Sequence, residues 1–340
     1  MAEIQNNNLF PEIENFKDLE EVEQISHEEF YAQFIQSAAE FVPVELQEKL
    51  RNTKLLIAGC GSIGNPIAML AARTGMENIT VADPDVVEVS NLPRQEYVYN
   101  QVGVNKAEKT VKNILNINPY IKKTVRSIPE GITEENVEDL VINSDIIIDG
   151  IDIRSSDMMY LLHYYAAKYK KTVITGYDLA GTAMLAVYRY DKEDLKPLEG
   201  DITPETIELF KTVKQAYKNG KISEGEFLDF INHTLSGAIN PFAVPIEQFE
   251  QLINKDKNTT RTPQLGTTSR LVSALAIETI KNMLKGEDIK KVITIDLNSS
   301  IRKFKSKDLR KFGLMLKTLK VVRKRGKEVD DMIANISKER

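Results

Sequence analysis

The segment that most constrains the fold is Leu55–Gln95, because it has the order of a nucleotide-binding βαβ unit. The apolar run Lys54–Ala58 leads directly into Gly59-Cys60-Gly61-Ser62-Ile63-Gly64, and a second β-branched run, Ile79–Val81, ends at Asp83. Glycines in this context permit a tight turn and close approach of phosphate, and the following helix contributes amide donors. We therefore predict that nucleotide phosphates contact Gly59, Gly61, Ser62 and Gly64, and that Asp83 accepts hydrogen bonds from a ribose. NAD, FAD and ATP fit this unit equally well.

The residues that follow Asp83 favour ATP. Asn91, Arg94 and Gln95 come within a dozen positions, and Lys106 follows shortly afterwards. Hydride transfer does not need two cations and two amides beside the nucleotide. Cleavage of a triphosphate does, because negative charge must be neutralised as pyrophosphate leaves. We predict catalytic roles for Arg94 and Lys106.

A third acidic element completes the predicted site. The run Asp145–Asp149 has the pattern of a buried parallel strand, which would deliver Asp152 to the carboxyl edge of the sheet, where ligands bind in such folds. A carboxylate at that edge can hold Mg²⁺ directly or through water. We predict Asp152 as the magnesium ligand and as a catalytic residue. Asp149 and Asp85 are weaker candidates that could instead support the loops, and Asp85 is retained among the nucleotide-binding residues.

The order of these motifs resembles the ThiF/MoeB/HesA family, the bacterial relatives of ubiquitin-activating enzymes. The matching segments are the glycine loop, Asp83–Gln95, Gly103–Ala107 and Asp149–Asp152, and a later segment that begins at Pro263 is also similar. The resemblance implies an enzyme that uses ATP to activate a carboxylate, often the C-terminus of a ubiquitin-like protein or a peptide, as an acyl-adenylate. It assigns the ribose to Asp83, phosphate roles to Asn91, Arg94, Gln95 and Lys106, and Mg²⁺ to Asp152.

The departures from the family pattern are also informative. Thioester-forming members carry a separate catalytic cysteine, and many carry two CxxC pairs for zinc, whereas this chain has one cysteine, Cys60. We therefore expect no zinc site and no thioester cysteine, and a packing role for Cys60. The segment His27–Val42 lacks the arginine that reaches into a partner subunit in relatives, and Ile153 occupies the place of the usual asparagine.

The alternation of apolar runs predicts an α/β fold with a Rossmann-like, mostly parallel sheet, flanking helices and antiparallel closing strands. Residues 1–50 are predicted as an acidic helical arm and residues 51–190 as the ATP-binding core. Residues 191–262 are punctuated by Pro and Gly between helical stretches, and we expect this insert to shape the substrate site. Residues 263–305 would complete the core, with a final hairpin at Val292–Leu297 and Arg302–Phe304, and residues 306–340 form a basic tail.

Charge is distributed unevenly along the chain, although the formal net charge is only −5. Residues 1–50 hold 12 acidic and 2 basic side chains, and residues 302–340 hold 14 basic and 5 acidic ones. The tail lacks the aromatic residues of a single-strand binder, so a nucleic-acid partner is not favoured. We expect the opposite charges to dock across a homodimer. No run is long and apolar enough to span a bilayer, and we expect a cytoplasmic protein without membrane partners.

Four functions remain open on these residues. The favoured one is adenylation of a peptide or ubiquitin-like C-terminus, and a second enzyme function would use the adenylate for dehydration or cyclisation of a ribosomal peptide or a tRNA nucleoside. A third is a non-catalytic ATP-binding pseudoenzyme or heterodimer subunit. The fourth, an NAD-dependent oxidoreductase, is disfavoured by Arg94, Gln95 and Lys106.

Overall fold

A computed structural model describes residues 25–235, 246–254, 264–301, 303 and 308–338 of the chain. Its centre is a seven-stranded sheet with the order β3-β2-β1-β4-β5-β6-β7. The first five strands along the chain run parallel to one another, and they are β1 (Lys54–Ala58), β2 (Asn78–Ala82), β3 (Arg126–Ile128), β4 (Ile146–Asp149) and β5 (Thr172–Leu179). Because β1 lies between β2 and β4 and is parallel to both, the loops that follow these three strands meet at one edge.

Two antiparallel strands close the sheet. Strand β6 (Thr182–Arg189) pairs with the full length of β5, and β7 (Val292–Asp296) pairs with β6. The β5–β6 turn is tight, with Ala180 and Gly181 both at positive φ. Strand β5 extends beyond the end of β4, since its last partner there is Thr175 paired with Asp149. These two strands confirm the predicted antiparallel closing strands.

Helices cover both faces of the sheet, because successive side chains of β1 are apolar and point to opposite faces. Leu55 and Ile57 face one apolar cluster, whereas Leu56 and Ala58 face the other. The first face is covered by α2 (Val44–Asn52), α3 (Gly64–Arg73), α4 (Lys106–Ile117) and α10 (Gly266–Lys285). The second is covered by α5 (Val137–Ile142) and α6 (Ser156–Lys168). This arrangement confirms the predicted α/β, Rossmann-like fold class.

The N-terminal helix α1 (His27–Ile35) is attached to this core by polar contacts. Tyr31 donates its hydroxyl proton to the carbonyl of Gly75 at 2.9 Å, and Arg51 of α2 pairs with Glu28 at 2.7 Å. These contacts place the part of the acidic arm that the structure describes beside the first strand.

A third apolar cluster lies outside the sheet. It joins α7 (Pro204–Lys218) and α8 (Glu224–Leu235) of the insert to α12 (Asp308–Lys338) through Phe210, Phe227, Phe230 and Val329. Helix α9 (Ile246–Asn254) also packs against α12. The basic tail is thus a helix that packs on the insert. None of the described helices combines the length and the apolarity needed to cross a bilayer.

Of the predicted C-terminal hairpin, only the first arm falls entirely within the described residues. Strand β7 forms, but the chain then enters helix α11 (Leu297–Ile301), whose start is stabilised by Asp296, which accepts a hydrogen bond from the amide of Ser299 at 3.1 Å. Of the predicted second arm, Arg302 and Phe304 lie outside the described residues. Ahead of β3, which begins at Arg126, a short helical turn occupies Pro119–Ile121.

Candidate nucleotide site

The glycine loop between β1 and α3 contains two positions where the close backbone contacts permit only glycine. Gly59 has φ +91°, and a Cβ atom there would lie 2.3 Å from the carbonyl oxygen of Gly150. A Cβ at Gly64 would lie 1.8 Å from the carbonyl oxygen of Gly59. A Cβ at Gly61 would meet nothing within 4 Å. The first and third glycines therefore allow the backbone to fold tightly, and the second faces open space that a phosphate can enter.

Asp83 is buried at the end of β2 and braces this loop. One carboxylate oxygen accepts a hydrogen bond from the amide of Cys60 at 2.5 Å, and the other accepts one from the amide of Asp85 at 2.8 Å. Burial raises the pKa of the Asp83 carboxyl above its ordinary value, and the charge of Lys106 and the two amide donors oppose that shift. Each carboxylate oxygen has a second lone pair, so Asp83 retains acceptor capacity for ribose hydroxyls.

Lys106 and Asp85 form an ion pair at the start of α4. The ammonium of Lys106 lies 2.9 Å from Asp85 Oδ2, and the lysine is buried whereas the aspartate side chain is exposed. Helix α4 is capped by Asn105, which accepts a hydrogen bond from the amide of Glu108. Because the Asp85 carboxylate is exposed, water can solvate it when a phosphate replaces it as the partner of Lys106.

Arg94 is held by the segment that leads into α10. Its Nε donates to Gln264 Oε1 at 2.7 Å, and its guanidinium also contacts the carbonyl of Ser90. The neighbouring Gln95 has a buried Oε1 without a hydrogen-bond partner among the described residues, as expected of a group that binds a ligand or water. Asn91 is buried and accepts a hydrogen bond from the amide of Glu88 at 2.9 Å, so it supports the turn that presents Arg94.

Asp152 follows β4 and is exposed at the carboxyl edge. Its Oδ1 accepts a hydrogen bond from the amide of Arg154 at 2.8 Å, and 60% of its side chain is accessible. Within the described residues no group of three or more His, Cys, Asp or Glu side chains converges on one point. One exposed carboxylate is nevertheless suited to Mg²⁺, which completes its coordination with waters and the phosphates of the nucleotide.

Asp149, the weaker acidic candidate, has a supporting position. It is buried, and Thr175 donates to its Oδ2 at 3.1 Å while His163 Nε2 lies 3.3 Å away. His163 Nδ1 contacts the hydroxyl of Tyr190 at 2.9 Å, and that hydroxyl accepts a hydrogen bond from the amide of Leu198. These contacts join Asp149, His163 and Tyr190 in one buried chain. It connects the strand that precedes Asp152 to the entrance of the insert.

Three buried residues that hold the site together were not among the predicted site residues. Asn65 of α3 donates to Thr110 Oγ1 at 2.9 Å and accepts from the amide of Glu96 at 2.6 Å. The Ser269 hydroxyl lies between the carbonyls of Ser62 and Arg94, 2.9 Å from the latter. The Tyr97 hydroxyl lies within hydrogen-bonding distance of the carbonyls of Cys60 and Lys106. Only Asn65 carried a sequence signal, since a polar residue in the first turn of the glycine-loop helix is out of place on a buried face.

Cys60 is fully buried in the loop, and burial raises the pKa of its thiol well above the ordinary value, with the nearby Asp83 carboxylate adding to the effect. A thiolate is the nucleophilic form of cysteine, so both effects make Cys60 unreactive. The geometry therefore agrees with a packing role.

Residues 34–326 match the sequence model of the ThiF family. The chain belongs to the ThiF family. This finding confirms the resemblance inferred from the ordered motifs.

Similar curated proteins include the adenylyltransferase and sulfurtransferase UBA4 of Scheffersomyces stipitis, which is 28% identical over 155 residues, 45% of this chain and 34% of that protein. A probable molybdopterin-synthase adenylyltransferase of Pyropia yezoensis is 33% identical over 150 residues, 44% of this chain and 39% of that protein. The chain thus spans a little over a third of the length of these relatives.

Two solved structures share the fold. PaaA is 20% identical, with a TM-score of 0.52 over 86% of this chain and 84% of that one. E. coli MccB, in its structure with ATP, is also 20% identical, with a TM-score of 0.50 over 75% of this chain and 64% of that one. At this level of identity the likeness establishes the fold alone.

Proposed function

We propose that this ThiF-family protein uses Mg·ATP to adenylate a carboxylate, and that the substrate is the C-terminus of a peptide or of a ubiquitin-like protein. The observation that carries the proposal is the grouping, at one edge of the sheet, of an open glycine loop with Asp83, Arg94 and Lys106. The unpartnered, buried Gln95 Oε1 and the open space at Gly61 support the binding of a ligand at this edge. The adenylyltransferase relatives support the reaction type.

The proposed reaction needs alignment and charge neutralisation. A carboxylate oxygen of the substrate attacks the α-phosphorus of ATP, and the bond from that phosphorus to the pyrophosphate oxygen breaks. The substrate is already ionised, so the site needs no general base for this step. Asp83 would hold the ribose, while Lys106 and Arg94 would stabilise charge on the phosphates. Asp152 would hold Mg²⁺, which when bound neutralises further negative charge.

We further propose that the adenylate passes to its acceptor without a thioester on this chain. Cys60 is the single cysteine of the sequence, and its thiol is buried beneath the phosphate loop. The insert beside Asp152 would shape the substrate site, and two chains would pair as a homodimer. A monomeric mass at micromolar concentration and physiological salt would contradict the pairing.

Carboxylate-dependent exchange of radiolabelled pyrophosphate into ATP tests the reaction without knowledge of the acceptor. The assay would present peptides that differ in their C-terminal residue, and ubiquitin-like proteins with a Gly-Gly terminus. Exchange that depends on one class of carboxylate is the expected result. ATP binding without exchange across the whole panel would favour the pseudoenzyme alternative, and tighter binding of NADH than of ATP would contradict the site assignment.

A further inference from the structure

Arg154 lies between the proposed magnesium ligand and the insert. Its NH1 is 3.4 Å from Asp152 Oδ2, and its NH2 is 3.2 Å from Glu224 Oε1 at the start of α8. We propose that Arg154 is a positioning residue of the nucleotide site that exchanges Asp152 for the triphosphate when Mg·ATP binds. This inference rests on the proposed function, because it assumes that Asp152 receives the cation of the nucleotide.

The exchange follows from competition for the carboxylate of Asp152. Its Oδ1 accepts a hydrogen bond from the amide of Arg154 at 2.8 Å, which leaves Oδ2 as the less occupied oxygen for a cation. The guanidinium contacts both oxygens, with NH1 3.4 Å from Oδ2 and 3.5 Å from Oδ1. A divalent cation bound there would stand within a few ångströms of the positive charge of Arg154, and the two would repel each other. The triphosphate that arrives with the cation offers the guanidinium several anionic oxygens in return.

The backbone of this segment is held by several contacts, so the exchange can proceed by rotation of the Arg154 side chain. Ile153 packs against the apolar cluster of the insert, where the family pattern has a polar asparagine. The amide of Arg154 is tied to the Asp152 side chain. Four residues before Arg154, Gly150 lies directly against Gly59 of the phosphate loop. Arg154 therefore starts from a fixed point at the same edge as the glycine loop.

The insert does not depend on Arg154 for its attachment. Glu224 is 35% exposed and Asp152 is 60% exposed, and ion pairs as accessible as these are weak. A second pair joins the insert to the same region, with Lys214 of α7 at 2.8 Å from Asp157, and there the two side chains are only 21% and 11% exposed. Arg154 can leave its carboxylate partners while Ile153 and the Asp157–Lys214 pair hold the insert in place.

Cation binding and nucleotide binding should respond to Arg154→Ala in opposite directions. Mn²⁺ alone should bind the variant more tightly, because the Arg154 guanidinium no longer competes for the Asp152 carboxylate. Paramagnetic broadening of the amide signals around Asp152 would measure this binding. The complex of Mn²⁺ with α,β-methylene ATP, followed by calorimetry, should bind more weakly. We expect changes of roughly tenfold in each case, the scale of one charge-assisted contact. Arg154→Lys should restore part of the nucleotide affinity.

Two further variants serve as controls for these two binding measurements. Lys211→Ala removes another exposed ion pair of the insert, with Glu134, and should change neither measurement. Asp152→Asn should abolish the local Mn²⁺ effect in either background. Changes of the same sign in both measurements, or unchanged affinities in Arg154→Ala, would overturn the exchange. A wild-type chain that binds Mn²⁺ at Asp152 but no nucleotide would overturn the proposed function and the exchange with it, whereas nucleotide binding that ignores Arg154 would overturn the exchange alone.

Discussion

The nucleotide edge of the core and the insert are built in different ways. At the edge, backbone groups of neighbouring segments place the functional side chains, as the amides of Cys60 and Asp85 do for Asp83. The insert is assembled from side chains that are far apart in sequence, since Phe210 and Phe227 pack with Val329 of the last helix. It meets the segment that follows β4 through Ile153 and through ion pairs. The edge thus depends on local backbone geometry, and the insert depends on contacts between residues that are distant in sequence.

A pair of glycine substitutions tests the edge most severely. Gly64→Ala should prevent the loop from forming, because its Cβ would lie 1.8 Å from the carbonyl oxygen of Gly59. Gly61→Ala should leave the melting temperature within about 2 °C of wild type, since a surface change without contacts costs little. It should nevertheless weaken ATP binding at least tenfold, because the added methyl group would occupy the space of a bound phosphate. The loss of one hydrogen bond to that phosphate corresponds to roughly this change in affinity. Full ATP affinity in Gly61→Ala would show that phosphate does not enter there.

The independence of the insert is tested by Phe230→Ala. Phe230 is completely buried in the third cluster, and deletion of such a ring costs about 3–5 kcal/mol of the free energy of unfolding. Hydrogen exchange should rise in α7, α8 and α12, while the amides of β1 and β4 keep their protection. A uniform loss of protection across the sheet would show that the two regions unfold as one unit. Phe41→Ala, at an exposed phenylalanine, is the control.

The basic side chains of the edge should affect the rate of the reaction and not the stability of the fold. Lys106→Ala and Arg94→Ala should each slow pyrophosphate exchange by roughly a hundredfold or more, the scale for removing a preorganised contact to transition-state charge. Lys112 on the same helix as Lys106 and Arg73 on α3 are both exposed, so their alanine variants serve as matched controls. Turnover near wild type in both Lys106→Ala and Arg94→Ala would reassign these residues to the surface.

The smallest effect is expected at Cys60. Cys60→Ala should keep exchange and overall activity within about threefold, because a buried thiol with a raised pKa cannot serve as a nucleophile. Mass spectrometry of the wild-type chain after turnover should show no thiol-sensitive adduct. An adduct that dithiothreitol releases, and that is missing in Cys60→Ala, would mean that the phosphate loop opens between two half-reactions.

The edge could be predicted from sequence because its signals are local. The order of strand, glycine loop, helix and strand placed Gly59 and Asp83 within one βαβ unit, and the strand before Asp152 contains the apolar run Ile146–Ile148. The contacts of Ser269 and Gln264 with the Arg94 segment could not be predicted, since they join residues that are distant in sequence. The packing role of Ile153 could not be predicted for the same reason. The sequence shows that Ile153 departs from the family pattern, but not which apolar cluster it packs against.

The single buried thiol has a practical consequence for studies of motion in this protein. Because Cys60 is the one cysteine of the chain and is inaccessible in the fold, a cysteine introduced at an exposed position would be the sole site of maleimide labelling. Lys211→Cys would place a spin label or fluorophore on the outer surface of α7 without disturbing the wild-type background. The distance from that label to bound Mn²⁺ would then report how the insert responds to nucleotide.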